Sequence, residues 1–283
     1  MNTHFPAYRT FKTARIEAID AMTALLIGSR LSITNLRAVK NQETMLPDIY
    51  NGVAGIERLN RTASDAVTLL TTSEKHLAYM AIPYGLAVYA GFLTDVAKML
   101  QADGRNPRTM ERQEDLSKLS LDIAHEYISD CCQAGLDYEY VSLFQFSRRI
   151  RNRIIHFNGT AGSHIDYANL SQEAKEIWLN LARRPFTECV HDNRLLLGDS
   201  ELLAVLGVCN ELANKINALL STAISRTYWA RLAVTDFKAC YPERFKETNN
   251  RLRHLEGYAY HLYRPIGLTS EEISDALDAV SNQ

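Results

Sequence analysis

Arg151, Asn152 and His156 lie close together in the stretch from Tyr138 to Gly159. An imidazole has an unperturbed pKa of about 6.5, so it can take or give a proton near neutrality. A guanidinium binds an oxyanion through paired hydrogen bonds, and an amide both donates and accepts. A histidine, an arginine and an asparagine in one cluster are therefore a set suited to proton transfer beside an anion. Arg148, Arg149 and Arg153 add further cations to the same stretch.

The segment reads as an amphipathic helix. At about 100° per residue, Leu143, Phe146, Ile150, Ile154 and Phe157 fall on one apolar face. Arg148, Arg151, Asn152 and His156 fall on the opposite side, with Asn152 and His156 one turn apart and Arg151 flanking them. Phe144 and Ile155 project from this polar side as well. Apolar residues there suggest a face that packs against something, and a second copy of the same helix is one way to cover it.

Arg-Asn-x-x-x-His near the end of an amphipathic helix, within Ile-Arg-Asn-Arg-Ile-Ile-His-Phe-Asn-Gly (150–159), resembles the signature of the HEPN superfamily. The resemblance covers one helix of some twenty residues and an all-helical setting, and the motif fixes three positions. It implies a helical bundle that dimerises, bringing two such motifs into a composite site that cleaves RNA without a metal ion or other cofactor. His156 would serve as general base or acid on the ribose 2′-hydroxyl and the leaving 5′-oxygen. Arg151 would hold the scissile phosphate, and Asn152 would orient the histidine or the phosphate. Arg148, Arg149 and Arg153 would add phosphate contacts, and Phe144 and Ile155 would line the dimer interface. The products would be a 2′,3′-cyclic phosphate and a 5′-hydroxyl, and DNA would not be cut by this route. Many members are toxins or effectors of defence against phage, which implies RNA and possible antitoxin or regulatory partners in a prokaryotic cytoplasm. Members silenced by nucleotide transfer carry a tyrosine two residues after the histidine. Here that position is Asn158, which puts such silencing in doubt.

Plainer readings stand beside this one. Cations near a helix C-terminus complement its macrodipole, each contributing ~0.3–1 kcal/mol. Asn158 and Gly159 fit a C-cap, and a lone histidine often serves as a hydrogen-bonded structural residue. The same fold without cleavage would be a helical RNA- or protein-binding module. Asp122-x-x-His125-Glu126 and Glu188-x-x-His191 have the spacing of bundle metal ligands, but the partner glutamates of such a site are not evident, and solvated helix faces are the alternative. Adjacent Cys131 and Cys132 diverge on a helix and read as core-filling. Arg251, Arg253 and His254 read as a charged exposed turn. Neither a Gly-x-x-x-x-Gly-Lys loop, a Gly-x-Ser-x-Gly elbow nor a Cys-x-x-Cys pair occurs, which argues against a nucleotide hydrolase, a serine hydrolase and a zinc ribbon.

The elements that must position the cluster are helices throughout. Ile16, Ile19, Met22 and Leu26 step by three and four, as do Leu116, Leu119, Ile123 and Tyr127. Leu202, Leu206, Cys209, Leu212, Ile216, Leu219 and Ala223 mark one long helix, with Asp199, Ser200 and Glu201 supplying capping chemistry at its start. Thr269 to Glu272 is a capping-box pattern before Ile273, Leu277 and Val280. Turns are expected at Asp103-Gly104, Gly159 to Gly162, and around Pro185, Pro242 and Pro265. The expectation is an all-α bundle of eight or nine helices. It forms a single domain over 1–283, with a HEPN-like core at roughly 60–230 and a helical extension at 240–283. If a seam exists, it lies near 100–108 or after Cys240.

A chain of 283 residues, 46% hydrophobic and 23% charged, can build a sizeable core. Its net charge of −2 means that any nucleic-acid site must be a local patch. Five sparse cysteines fit reduced thiols rather than a disulfide framework. The uncharged stretch Leu77 to Thr94 is long enough to raise a membrane span, but Pro83, its glycines and its tyrosines favour a buried helix bent near Pro83. The N-terminus carries no apolar run with a basic leader, and a cytoplasmic protein is expected.

Overall fold

The apolar steps of three and four are realised as helices almost everywhere, and the protein is all-α. The computed structural model describes residues 2–110, 115–116, 119–160, 167–192, 194–247 and 249–281. In chain order the helices among these residues are α1 (Pro6–Arg37), α2 (Leu46–Ile49), α3 (Ala63–Ala102), α4 (Ala124–Cys132), α5 (Tyr138–Phe157), α6 (Gln172–Ala182), α7 (Asp199–Ala223), α8 (Arg226–Cys240), α9 (Pro242–Lys246), α10 (Arg251–Leu262) and α11 (Ser270–Ser281). That exceeds the expected number because α2 and α9 are single turns, each with a proline at its start, where a preset φ and a missing N–H cost nothing. The hairpin β1 (Val190–His191) and β2 (Arg194–Leu195) pairs Val190 with Leu195 and His191 with Arg194.

The chain divides into two compact units. The first comprises Met1–Ala14, Ala87–Gln145 and Val208–Gln283, and the second comprises Arg15–Leu86 and Phe146–Gly207. The changes of unit fall inside α1, α3, α5 and α7, not near 100–108 or after Cys240. An unbroken helix carries no turn signal, so nothing in the local sequence marks these points.

The first unit is built on aromatic rings. Phe5, Tyr8 and Phe11 bury one face at the start of α1 and meet Tyr89 and Phe92 of α3 and Trp229 of α8. Asn217 of α7 ties the N-terminal strand of chain down, accepting from the Thr3 N–H at 2.9 Å and donating to its carbonyl at 2.7 Å. Arg9 pairs with Asp236, and the Tyr263 hydroxyl donates to the same carboxylate at 2.7 Å. Burial works to raise the Asp236 pKa, but hydrogen bonds from Arg9, Tyr263 and Tyr258 outweigh it and hold the carboxyl below its ordinary range. The capping box at α11 forms as the pattern requires: the Thr269 N–H donates to Glu272 at 2.8 Å, and the Glu272 N–H donates to the Thr269 hydroxyl at 3.2 Å. Cys131 and Cys132 fill space in this unit, and burial pushes their thiols up to about 11 and about 12.

Two expected stripes are only partly realised. The helix expected from Leu116 through Tyr127 begins at Ala124, because Ser120 and Asp122 close a side-chain turn instead: the Asp122 N–H donates to the Ser120 hydroxyl at 3.3 Å. On α1, Leu26 is buried and Ile19 and Met22 half-buried, but Ile16 is 47% exposed.

The second unit centres on Phe146 of α5, Trp178 of α6 and Phe186, whose rings stand edge to face at 4.6–5.7 Å. Glu201, expected as a capping residue, accepts the Gly198 N–H at 2.8 Å at the start of α7. It is also wholly buried and ion-paired with Arg184. Helix α3 runs through Pro83 without interruption. Among the described residues it is the one helix long and apolar enough to cross a membrane, a test that the core helix of a soluble protein also passes. Ile82, Leu86, Tyr89, Phe92, Leu93 and Val96 along it are buried.

Candidate active site

Helix α5 carries the cluster. Asp137 starts it by accepting the Glu139 N–H at 3.2 Å, and Leu143, Phe146 and Ile150 bury its apolar face. Burial fades toward the C-terminus: Ile154 is half-buried and Phe157 is 53% exposed. The last turn thus extends past the core, and Phe157 does not complete the buried face expected of it. The Arg153 guanidinium lies over the Phe157 ring instead, 4.5 Å from its centre.

The end of α5 is held by three elements. Asn158 and Gly159 adopt left-handed φ values of 47° and 75°, and the Gly159 N–H closes the helix on the Arg153 carbonyl at 2.9 Å. The C-cap reading of these two residues is therefore correct as far as it goes. Gly159 does more than cap: a Cβ there would stand 1.9 Å from the Tyr79 hydroxyl. Tyr79, on α3, donates to the Leu195 carbonyl at 2.8 Å, and the Leu195 N–H donates back to the Gly159 carbonyl at 2.8 Å. Thr160 forms a β-bridge with Arg194. Burial raises the Tyr79 pKa, Arg194 opposes that, and the Lys75 ammonium sits 5.2 Å from the tyrosine ring centre. The junction of α3, β2 and the α5 terminus fixes the turn that bears His156. The remainder of the turn expected at 159–162, Ala161 and Gly162, lies outside the described residues.

On the outer side of this helix end, Asn152 and His156 are exposed and Arg151 is half-buried. Successive residues diverge by about 100°, yet the long Arg151 side chain folds round to donate to Asn152 Oδ1 at 3.1 Å. Arg151 and Asn152 are thus one hydrogen-bonded unit, with His156 one turn further on. Among the described residues His156 makes no hydrogen bond, and its ring meets only the edge of Phe157 at 6.5 Å. It is not a buried, hydrogen-bonded histidine in service of the fold. Arg149 is exposed and Arg148 half-buried. Ile155 is 46% exposed.

Phe144 departs from its expected place. It is wholly buried in the first unit, edge-on to Tyr89 at 5.2 Å and to His125 at 4.6 Å. Its own chain covers it, so it lines no exposed interface.

The two metal-ligand pairs do not lie on helical faces. Asp122 precedes α4, and His125 is buried with its Nε2 2.8 Å from the Tyr89 hydroxyl. The 186–191 segment is a 3-10 turn running into β1, so Glu188 and His191 lack helical register, and the Glu188 side chain lies outside the described residues. Among the described residues no group of three or more histidines, cysteines or carboxylates could hold a metal ion. Arg251, Arg253 and His254 open a helix, α10, rather than a turn.

Sequence reasoning missed Tyr79 and Arg194. Tyr79 lies in the uncharged stretch that reads as plain core, and it is 116 residues from its partner Leu195, so no local pattern links them. No protein-family model, no curated protein and no solved structure matches the chain.

Proposed function

We propose that the protein is a metal-independent endoribonuclease of HEPN type, acting as a homodimer through Arg151, Asn152 and His156 of each copy. The observation that carries this reading is the exposed His156, without a hydrogen bond among the described residues, one turn from a hydrogen-bonded Arg151–Asn152 pair on a helix end held by Tyr79 and Leu195. One histidine takes the proton of the ribose 2′-hydroxyl, and the 2′-oxygen attacks phosphorus. The bond from phosphorus to the 5′-oxygen breaks, and the His156 of a second copy protonates the leaving oxygen. Arg151 stabilises the charge that builds on the phosphate oxygens, and Asn152 orients the guanidinium through the bond seen here. Arg149, exposed beside them, supplies a further phosphate contact. Arg153, engaged with Phe157, positions the last turn. The biological role that accompanies this chemistry is that of a toxin or antiviral effector in the cytoplasm.

The test is cleavage of an RNA panel with EDTA present, by the wild type and by His156→Ala and Arg151→Ala, each checked for folding by circular dichroism. Cleavage by the wild type alone, leaving cyclic phosphate ends, is the expected result. A folded wild type that leaves every RNA intact, or a His156→Ala protein that cuts as well, overturns the assignment and leaves a non-catalytic helical module.

A further inference from the structure

The outer face of α10, in the first unit, has features that its own fold does not require. Arg251 and Arg253 stand in the first turn of α10, where the macrodipole disfavours cations and no acidic residue shares the turn; Arg251 lies over the Phe245 ring, 5.4 Å from its centre. Among the described residues Arg253 and Arg264 are in no ion pair with a carboxylate. Tyr260 is 69% exposed, with the Arg264 guanidinium 5.7 Å from its ring centre. Gly257 lies mid-helix between Arg253 and Tyr260 and is exposed, and a Cβ there would meet nothing within 4 Å. Its backbone needs no glycine, and glycine in a helix interior is unfavourable. Beside this face opens a cavity of about 300 Å³, lined by Glu256, Tyr260, Tyr263, Arg264 and Ser270 among others.

We infer that this face is a binding site for single-stranded RNA, with one base stacked on Tyr260 at the mouth of the cavity and the flanking phosphates held by Arg253 and Arg264. An exposed ring beside guanidinium groups that, among the described residues, pair with no carboxylate is the chemistry that grips single strands without reading sequence. Gly257 leaves bare helix backbone against which a flat base can lie. Glu256 and Ser270 give the cavity an acceptor and a hydroxyl for the base edge. The choice of RNA over another single strand rests on the ribonuclease reading above.

Binding is measured on the full chain carrying His156→Ala, by fluorescence anisotropy with labelled oligouridylate and oligoadenylate over a range of salt. Tyr260→Ala is expected to weaken binding about tenfold or more. Replacing Arg253 and Arg264 by alanine lowers the slope of log affinity against log salt by roughly 0.7 for each charge. Gly257→Gln is the sharpest variant: it covers the backbone, so it weakens binding while the melting temperature stays level or rises. If binding is indifferent to all of these variants, this site is refuted and the cleavage reading still stands. If binding follows them but the wild type cuts nothing, the site stands and the cleavage reading falls. Capture of the protein by phosphatidylserine vesicles, with no affinity for either oligonucleotide, overturns the site in favour of a membrane surface.

Discussion

Replacing Gly159 by alanine tests whether the junction behind His156 is a true constraint. The native φ of 75° costs an L-residue about 1–2 kcal/mol. The new methyl group would lie 1.9 Å from the Tyr79 hydroxyl and about as badly against its ring, 2.5 Å from Cζ. The tyrosine must therefore swing away, giving up its hydrogen bond to Leu195, a further ~0.5–1.5 kcal/mol. Urea unfolding followed by circular dichroism should show a loss of about 1.5–3.5 kcal/mol, the sum of the two. The clash and the backbone strain separate in a double-mutant cycle. Tyr79→Ala removes the obstructing ring, so Gly159→Ala should cost less in that background by roughly 1 kcal/mol. If the cluster cleaves RNA as proposed, cleavage should fall more than stability alone explains, since a displacement of about 1 Å at a catalytic group can cost a hundredfold in rate. If Gly159→Ala costs under ~0.5 kcal/mol, the typical scale of an inconsequential surface change, or if the two substitutions simply add, the argument for a locked helix end is wrong.

Arg184→Ala should destabilise the second unit by about 3 kcal/mol, because it leaves the Glu201 carboxylate, wholly buried, without its cation; thermal melts of the two proteins check it. Glu272, held by Arg226 and by the Thr269 N–H, has its pKa pulled down to about 2, so its contribution is complete above the ordinary carboxylate range and is lost as pH falls toward 2. Glu272→Gln should therefore lower stability by roughly 1 kcal/mol at pH 7, the scale of a solvent-screened pair with a cap, and the gap from the wild type should close in melts at progressively lower pH. Phe144→Ala should cost about 3–5 kcal/mol without altering oligomeric state, as expected of a buried ring. Ile155→Asp should leave stability within about 0.5 kcal/mol of the wild type yet shift sedimentation to a monomer and abolish cleavage, and a dimer that persists would refute its place in the interface.

The helices were legible because each depends on local spacing. The stripe on α7 survives almost residue for residue, with Leu220 buried where Leu219 is only half-buried. The α11 capping box is a contact between neighbours in sequence, and it forms as written. What the sequence hides is non-local. Phe144 sits on the polar side of α5 by helical register, and only the folding of α3 and α4 around it turns that side inward there. Glu201 reads as a first-turn acid, and its ion pair needs Arg184 to arrive from the preceding loop. Leu116 and Leu119 keep helical spacing, yet a serine and an aspartate between them and α4 supply a competing turn that periodicity cannot weigh.

The same contrast bears on how the cluster would work. In one chain His156 and Asn152 face water, where two unit charges about 4 Å apart interact by only ~1 kcal/mol, against ~4 kcal/mol at an effective dielectric constant of about 20. Arg151 therefore gains most of its leverage on a phosphate only if water is excluded. The apolar surface that invites a cover is already in place: Ile155 is 46% exposed and Phe157 53% exposed, immediately flanking His156. With Phe144 buried inside its own chain, these two side chains are the apolar contact left on the helix end. A second copy laid over Ile155 would dry the site and bring in the second imidazole that the proposed cleavage requires. That is why a substitution at Ile155, which touches no reacting atom, is expected to cost as much activity as removing His156 itself.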